Sequence, residues 1–130
     1  MDRKQAVHQT LLEHSNKPFE DGVLDCCIFV AAAAKKITGI DYSAGFEHHN
    51  KMTGEQYLEQ HGGLAGLVNF ILKKDPVDID LLEIGDPVLA DVPIFGETLA
   101  LWMGNCAMIK TDVGTMSIPR SRLKKGWNLA

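Results

Sequence analysis

The 130 residues predict a single α+β domain, with helices first and an antiparallel sheet after them. Three observations predict it. The stretch "CCIFVAAAAKKI", Cys26 to Ile37, is apolar nearly all round and runs into two lysines and then Gly39, the pattern of a buried helix that ends cleanly. Beyond Pro76, β-branched and aromatic residues come in short runs separated by Gly, Pro and Asp, the pattern of strands. With 45% hydrophobic and 23% charged residues, a chain of this length buries a core without a disulfide or a metal to staple it.

Taken in order, Asp2 to His14 reads as a short helix capped by Asp2, with Val7, Leu11 and Leu12 as its apolar side and Asn16, Lys17 and Pro18 ending it. The Cys26–Ile37 helix is the central one. "DYSAGFEHHN" is a polar connection, after which Thr53 to Gln60 and Leu64 to Leu72 read as two short helices broken by Gly62 and Gly63. Asp75 and Pro76 close that region. Four strands follow, at Pro87–Val92, Thr98–Met103, Cys106–Lys110 and Thr115–Ile118, with Gly104-Asn105 suited to a two-residue hairpin turn. No repeat, low-complexity tract or linker interrupts the chain, so residues 1–130 are expected to form one domain.

A net charge of −4 speaks against nucleic acid as a partner, since phosphate binding needs a surface excess of Lys and Arg. The local basic run Arg120, Arg122, Lys124, Lys125 reads as a solvated edge. The N-terminal stretch has no continuous apolar core of the kind a secretory signal needs, and the longest apolar run, Cys26 to Ala34, is about half of the roughly 20 residues that span a bilayer. The expectation is a soluble chain made in the cytosol. Cys26 and Cys27 are adjacent and Cys106 stands alone, so neither a disulfide framework nor a metal site is expected, and nothing calls for a cofactor.

Adjacent helix positions differ by about 100° around the axis, so Cys26 and Cys27 cannot both face one cleft. Cys26 is the candidate nucleophile. It follows Asp25, a favourable cap residue, which would set it in the first helical turn where free N–H groups and the dipole favour a thiolate. A dipole contribution of up to ~2 kcal/mol equals about 1.5 pKa units and would bring a reference thiol near 8.5 only to about 7. A working nucleophile therefore also needs an imidazole in reach. The alternative is that both cysteines are core packing. Trp102 and Trp127 read as core or sheet-edge packing, and His8, His14 and His61 as structural.

The spacing "PF-x-x-G-x-x-DC-x-x-F-x-A", carried by Pro18, Phe19, Gly22, Asp25, Cys26, Phe29 and Ala31, resembles the nucleophile segment of NlpC-like cysteine peptidases. More closely, the chain is similar to a family of short tailed-phage and prophage proteins related to them. That likeness continues through "TGIDYSAG", "GGLAGLVNFI", "EIGDPVLADV", "LALWMGN" and "SIPRSRLKKGWNL", covering residues 17–129. It implies a papain-like fold, with the Cys-bearing helix packed on a C-terminal antiparallel sheet that supplies a histidine. It also implies descent from enzymes that cut peptide bonds in peptidoglycan.

In that pattern the catalytic His opens the strand after "IGDPVLADV", and here the position holds Thr98, whose hydroxyl is no general base near neutral pH. Family members usually carry Trp where this chain has Asp21. His48 and His49, in the "GFEHHN" connection, are the candidate substitutes for the missing base. The resemblance thus implies a tail-associated structural or assembly protein with lost or vestigial catalysis, made in the host cytoplasm, with the virion tail as one destination it leaves open, whose partners are other phage proteins. The competing expectation is an active thiol hydrolase, an endopeptidase or amidase on peptidoglycan peptides using Cys26.

Overall fold

The computed structural model describes residues 2–15, 22–43, 59–93, 96–111 and 114–129, and for residues 22–25 the backbone only. Within them the protein is α+β, with three helices and a five-stranded antiparallel sheet.

Helix α1 spans Arg3–His14. Asp2 caps it through a reciprocal box, its carboxylate accepting from the Gln5 N–H at 2.8 Å while the Gln5 side chain accepts from the Asp2 N–H. Ala6, Val7 and Thr10 face inward and Leu11 is partly buried, but Leu12 points to solvent, so the apolar stripe is narrower than the sequence suggests. Helix α2, Gly22–Thr38, is the central element. Cys27, Phe29, Val30, Ala31 and Ala33 bury into one core, and the helix stops where the Gly39 N–H donates to the Lys35 carbonyl at 2.8 Å. Helix α3, Gly63–Leu72, adds Leu64, Leu67 and Val68. Of the expected Thr53–Gln60 helix, Glu59 and Gln60 are helical and the rest lies outside the described residues.

The strands are β1 (Pro87–Val92), β2 (Gly96–Trp102), β3 (Cys106–Thr111), β4 (Gly114–Pro119) and β5 (Leu123–Gly126), in spatial order β4-β3-β2-β1-β5. The β2–β3 turn is the expected two-residue hairpin: Met103 N–H donates to the Cys106 carbonyl at 2.8 Å, and Gly104, at φ +102°, takes the left-handed conformation the turn requires. β5 was not expected. Its alternation is short and hidden among basic residues, yet it pairs antiparallel with β1 through Val88↔Gly126 and Leu89↔Lys125. Arg120 and Lys124 of that basic run lie at the surface, paired with Asp80 and Glu97.

Both faces of the sheet are covered. Leu89, Leu99 and Leu101 join the helices and Trp127 in one core. Val88, Ala90, Val92, Ala100, Trp102, Ala107, Ile109 and Ile118 form a second, closed partly by Ile79, Leu82 and Leu123. No helix among the described residues is long and apolar enough to cross a membrane.

Candidate functional site

Helix α2 begins at Gly22, three residues before Asp25, which corrects the expectation that Asp25 caps it. Asp25 is an interior helical position, and Cys26 is the fifth residue of the helix instead of a member of its first turn. Dipole stabilisation of a thiolate fades beyond that turn, so the electrostatic argument for Cys26 weakens.

Cys26 and Cys27 diverge as their 100° offset demands. Cys27 is fully buried in the helix-side core and lines a small apolar pocket with Val30, Val68, Leu72 and Leu99. Cys26 is 3% exposed and packs toward β3, its Sγ donating to the Lys110 carbonyl at 3.5 Å. Pairing of β2 with β3 runs over Trp102↔Ala107 and Leu101↔Met108, and two residues further along β3 the Lys110 carbonyl accepts from the thiol. The S–H is the donor this acceptor oxygen calls for.

Lys110 itself was not singled out by sequence. Ala107 and Ile109 point to the far core, so alternation turns Lys110 toward the helices, where it is 3% exposed. Its ammonium donates to the Thr111 carbonyl at 2.7 Å and the Gly114 carbonyl at 3.4 Å. A lysine on the same side of β3 as Cys106 and Met108 was the signal available.

Thr98, at the position where the resemblance expects His, is buried, and its hydroxyl donates to the Gly96 carbonyl at 3.3 Å. It pairs with Ala90, and the register of β1 with β2 is regular throughout. Thr98 therefore shares the face of Ala90, Ala100 and Trp102, and among the described residues that core contains no α2 side chain. Cys26 and Thr98 are not brought together. His48 and His49 lie outside the described residues. His14 approaches the cysteine helix instead, its ring edge-on to Phe29 at 5.5 Å between centroids, one helical turn beyond Cys26. His61 packs against Phe70 at 4.8 Å, and His8 is exposed on α1.

The aspartate of the "GD" pair has a different role from any the sequence suggests. Asp86 is fully buried and satisfied on both oxygens: Oδ1 accepts from Arg3 Nη1 at 2.9 Å and the Leu129 N–H at 3.1 Å, Oδ2 from the Glu83 N–H at 2.9 Å and Asn128 Nδ2 at 3.3 Å. It ties the first helix, the turn before β1 and the C-terminal segment to one point. A broad groove beside this knot is lined by Lys4, Asp80, Glu83, Ile84, Trp102 and Arg120 among others, and among the described residues its lining includes neither Cys26 nor Thr98. Among the described residues no cluster of three or more His, Cys, Asp or Glu is placed to hold a metal ion.

The fold and site define an α+β domain with a buried thiol between its central helix and its sheet. The chain belongs to the family described as a domain of unknown function (DUF6950), which matches residues 1–129. No curated protein matches it.

Proposed function

We propose that the protein is a phage or prophage component, tail-associated and structural or assembly-related, that keeps an NlpC-like, papain-like cysteine-peptidase scaffold without its chemistry. The observation that carries the loss of chemistry is the state of Cys26: buried, and committed as a donor to the carbonyl of Lys110. A thiol so placed packs the helix onto the sheet and presents no sulfur to a substrate. Thr98 supports the same reading, because a side chain on the far face of the sheet serves the second core. The phage and tail assignment rests on the ordered motif likeness over residues 17–129, and its partners on this reading are other phage proteins.

The test is alkylation of the three cysteines from about pH 6 to about pH 9, resolved by peptide mass spectrometry. Cys106, half-buried on β3, is expected to react first and Cys26 to stay slow across the range. Fast, selective labelling of Cys26 at the acid end would overturn the reading.

One observation favours the alternative of an active thiol hydrolase on peptidoglycan peptides: the His14 imidazole against Phe29 brings a base to the helix that carries Cys26. On that alternative Cys26→Ala and His14→Ala each abolish release of peptides from purified sacculi. On the structural reading there is no release to abolish.

A further inference from the structure

Strand β4 is one edge of the sheet, and among the described residues no strand lies against its outer side. The opposite edge is blunted: Gly126 of β5 exchanges two backbone hydrogen bonds with Val77, at 2.7 and 3.1 Å, and the rest of the strand carries Lys124 and Lys125. Edge strands are normally blunted by a central charge, a proline or a bulge. The stretch "GTMSIP", Gly114–Pro119, carries no charged residue, keeps a regular register with β3 and has its proline only at the last position. Met116 is 39% exposed at its centre.

The phase of the edge follows from its hairpin. Thr111↔Gly114 closes the β3–β4 turn, so Gly114 addresses β3, and alternation does the same for Met116 and Ile118. Thr115 and Ser117 then direct their N–H and C=O groups outward. The same phase turns the Lys110 carbonyl toward β2, on the side where Cys26 takes it, which fixes the alternation by a second contact.

We infer that β4 is a homodimer interface, at which two copies pair β4 antiparallel to β4 about a two-fold axis through Met116. Thr115 meets the partner's Ser117 and Ser117 the partner's Thr115, and the two pairs exchange four N–H···O=C bonds. Met116 faces its own copy across the axis as a non-hydrogen-bonded pair, on the face it shares with Ile109 and Ile118, so the second core continues from one protomer into the other. A second copy fits this edge because the interface is self-complementary and brings no charge against a like charge. Because the two-fold contact uses the β4 edge of both copies, pairing closes at two and does not grow into a fibre.

Sedimentation velocity on the full chain at about 100 μM tests this, and a mass of twice 14.3 kDa is expected. Ser117→Pro removes an outward N–H without touching the ladder to β3, and Met116→Lys sets two cations on the axis. Each should give the monomer mass with an unchanged far-UV spectrum, and Met116→Lys alone decides if Ser117→Pro does not fold. In the unaltered chain, amide exchange at Thr115 and Ser117 should slow as concentration rises. A monomer at that concentration, exchange independent of concentration, or a dimer that survives Met116→Lys overturns the inference.

Discussion

Asp86 is the residue whose removal should cost most. A carboxylate with no exposure, holding a guanidinium, two backbone N–H groups and an amide, leaves all four uncompensated when it goes. Asp86→Ala is expected to lose about 3–5 kcal/mol in urea unfolding, the range for breaking one side of a buried pair. Asp41 illustrates the opposite regime. It is exposed, and the Ser43 hydroxyl and then the Ser43 N–H, with Lys35 contributing less, hold its carboxyl below the usual aspartate range. Because the folded value is the lower one, the stabilisation it brings is present above the unfolded value and is lost as pH falls through the folded one. Carboxyl NMR should show the low midpoint, and Ser43→Ala should move it back toward that of a free aspartate. An unmoved midpoint would assign the shift elsewhere.

Two contacts between elements show how closely the parts fit. A Cβ on Gly126 would stand 2.7 Å from the Pro87 carbonyl oxygen and 2.5 Å from Leu82 Cδ1, and the backbone oxygen cannot swing aside. Gly126→Ala should therefore push β5 off β1 and destabilise by about 1–3 kcal/mol, as overpacking does. Retained stability with unchanged β1–β5 amide exchange would refute this. The second is the seam between α3 and the C-terminal segment, where the buried Trp127 indole N–H donates to Asn69 Oδ1 at 2.7 Å. Asn69→Ala strands that donor and should cost about 1–3 kcal/mol by thermal or urea melting. Trp127→Phe in the same background should recover part of the loss, because it removes the stranded group.

One sheet separates two cores, and each core holds one of the two tryptophans: Trp127 on the helix side, Trp102 on the other. A shared sheet couples them, so the molecule should unfold as one cooperative unit. In Trp102→Phe and Trp127→Phe variants, fluorescence of the remaining indole should lose its native signal at the same urea concentration as the far-UV signal of that variant. Separate midpoints would mean that one face melts before the other.

Sequence alone determined the order of the helices and the first four strands, because that information is local. Apolar periodicity marked Cys26–Ile37, Asp2 marked a helix start, Gly104-Asn105 marked a hairpin, and the bounds of Pro87–Val92 were legible to the residue. It also determined that Cys26 and Cys27 must diverge, since that follows from helical pitch. Tertiary structure decided everything that depends on which face meets which. The pairing of Leu123–Gly126 with β1 and the burial of Lys110 each required knowing what lay opposite. So did the fate of the site: strand parity puts Thr98 in one core while helix packing puts Cys26 against the Lys110 carbonyl on β3. Spacing along a chain sets a side chain's direction relative to its own backbone, and only the packing of separate elements sets what that direction points at.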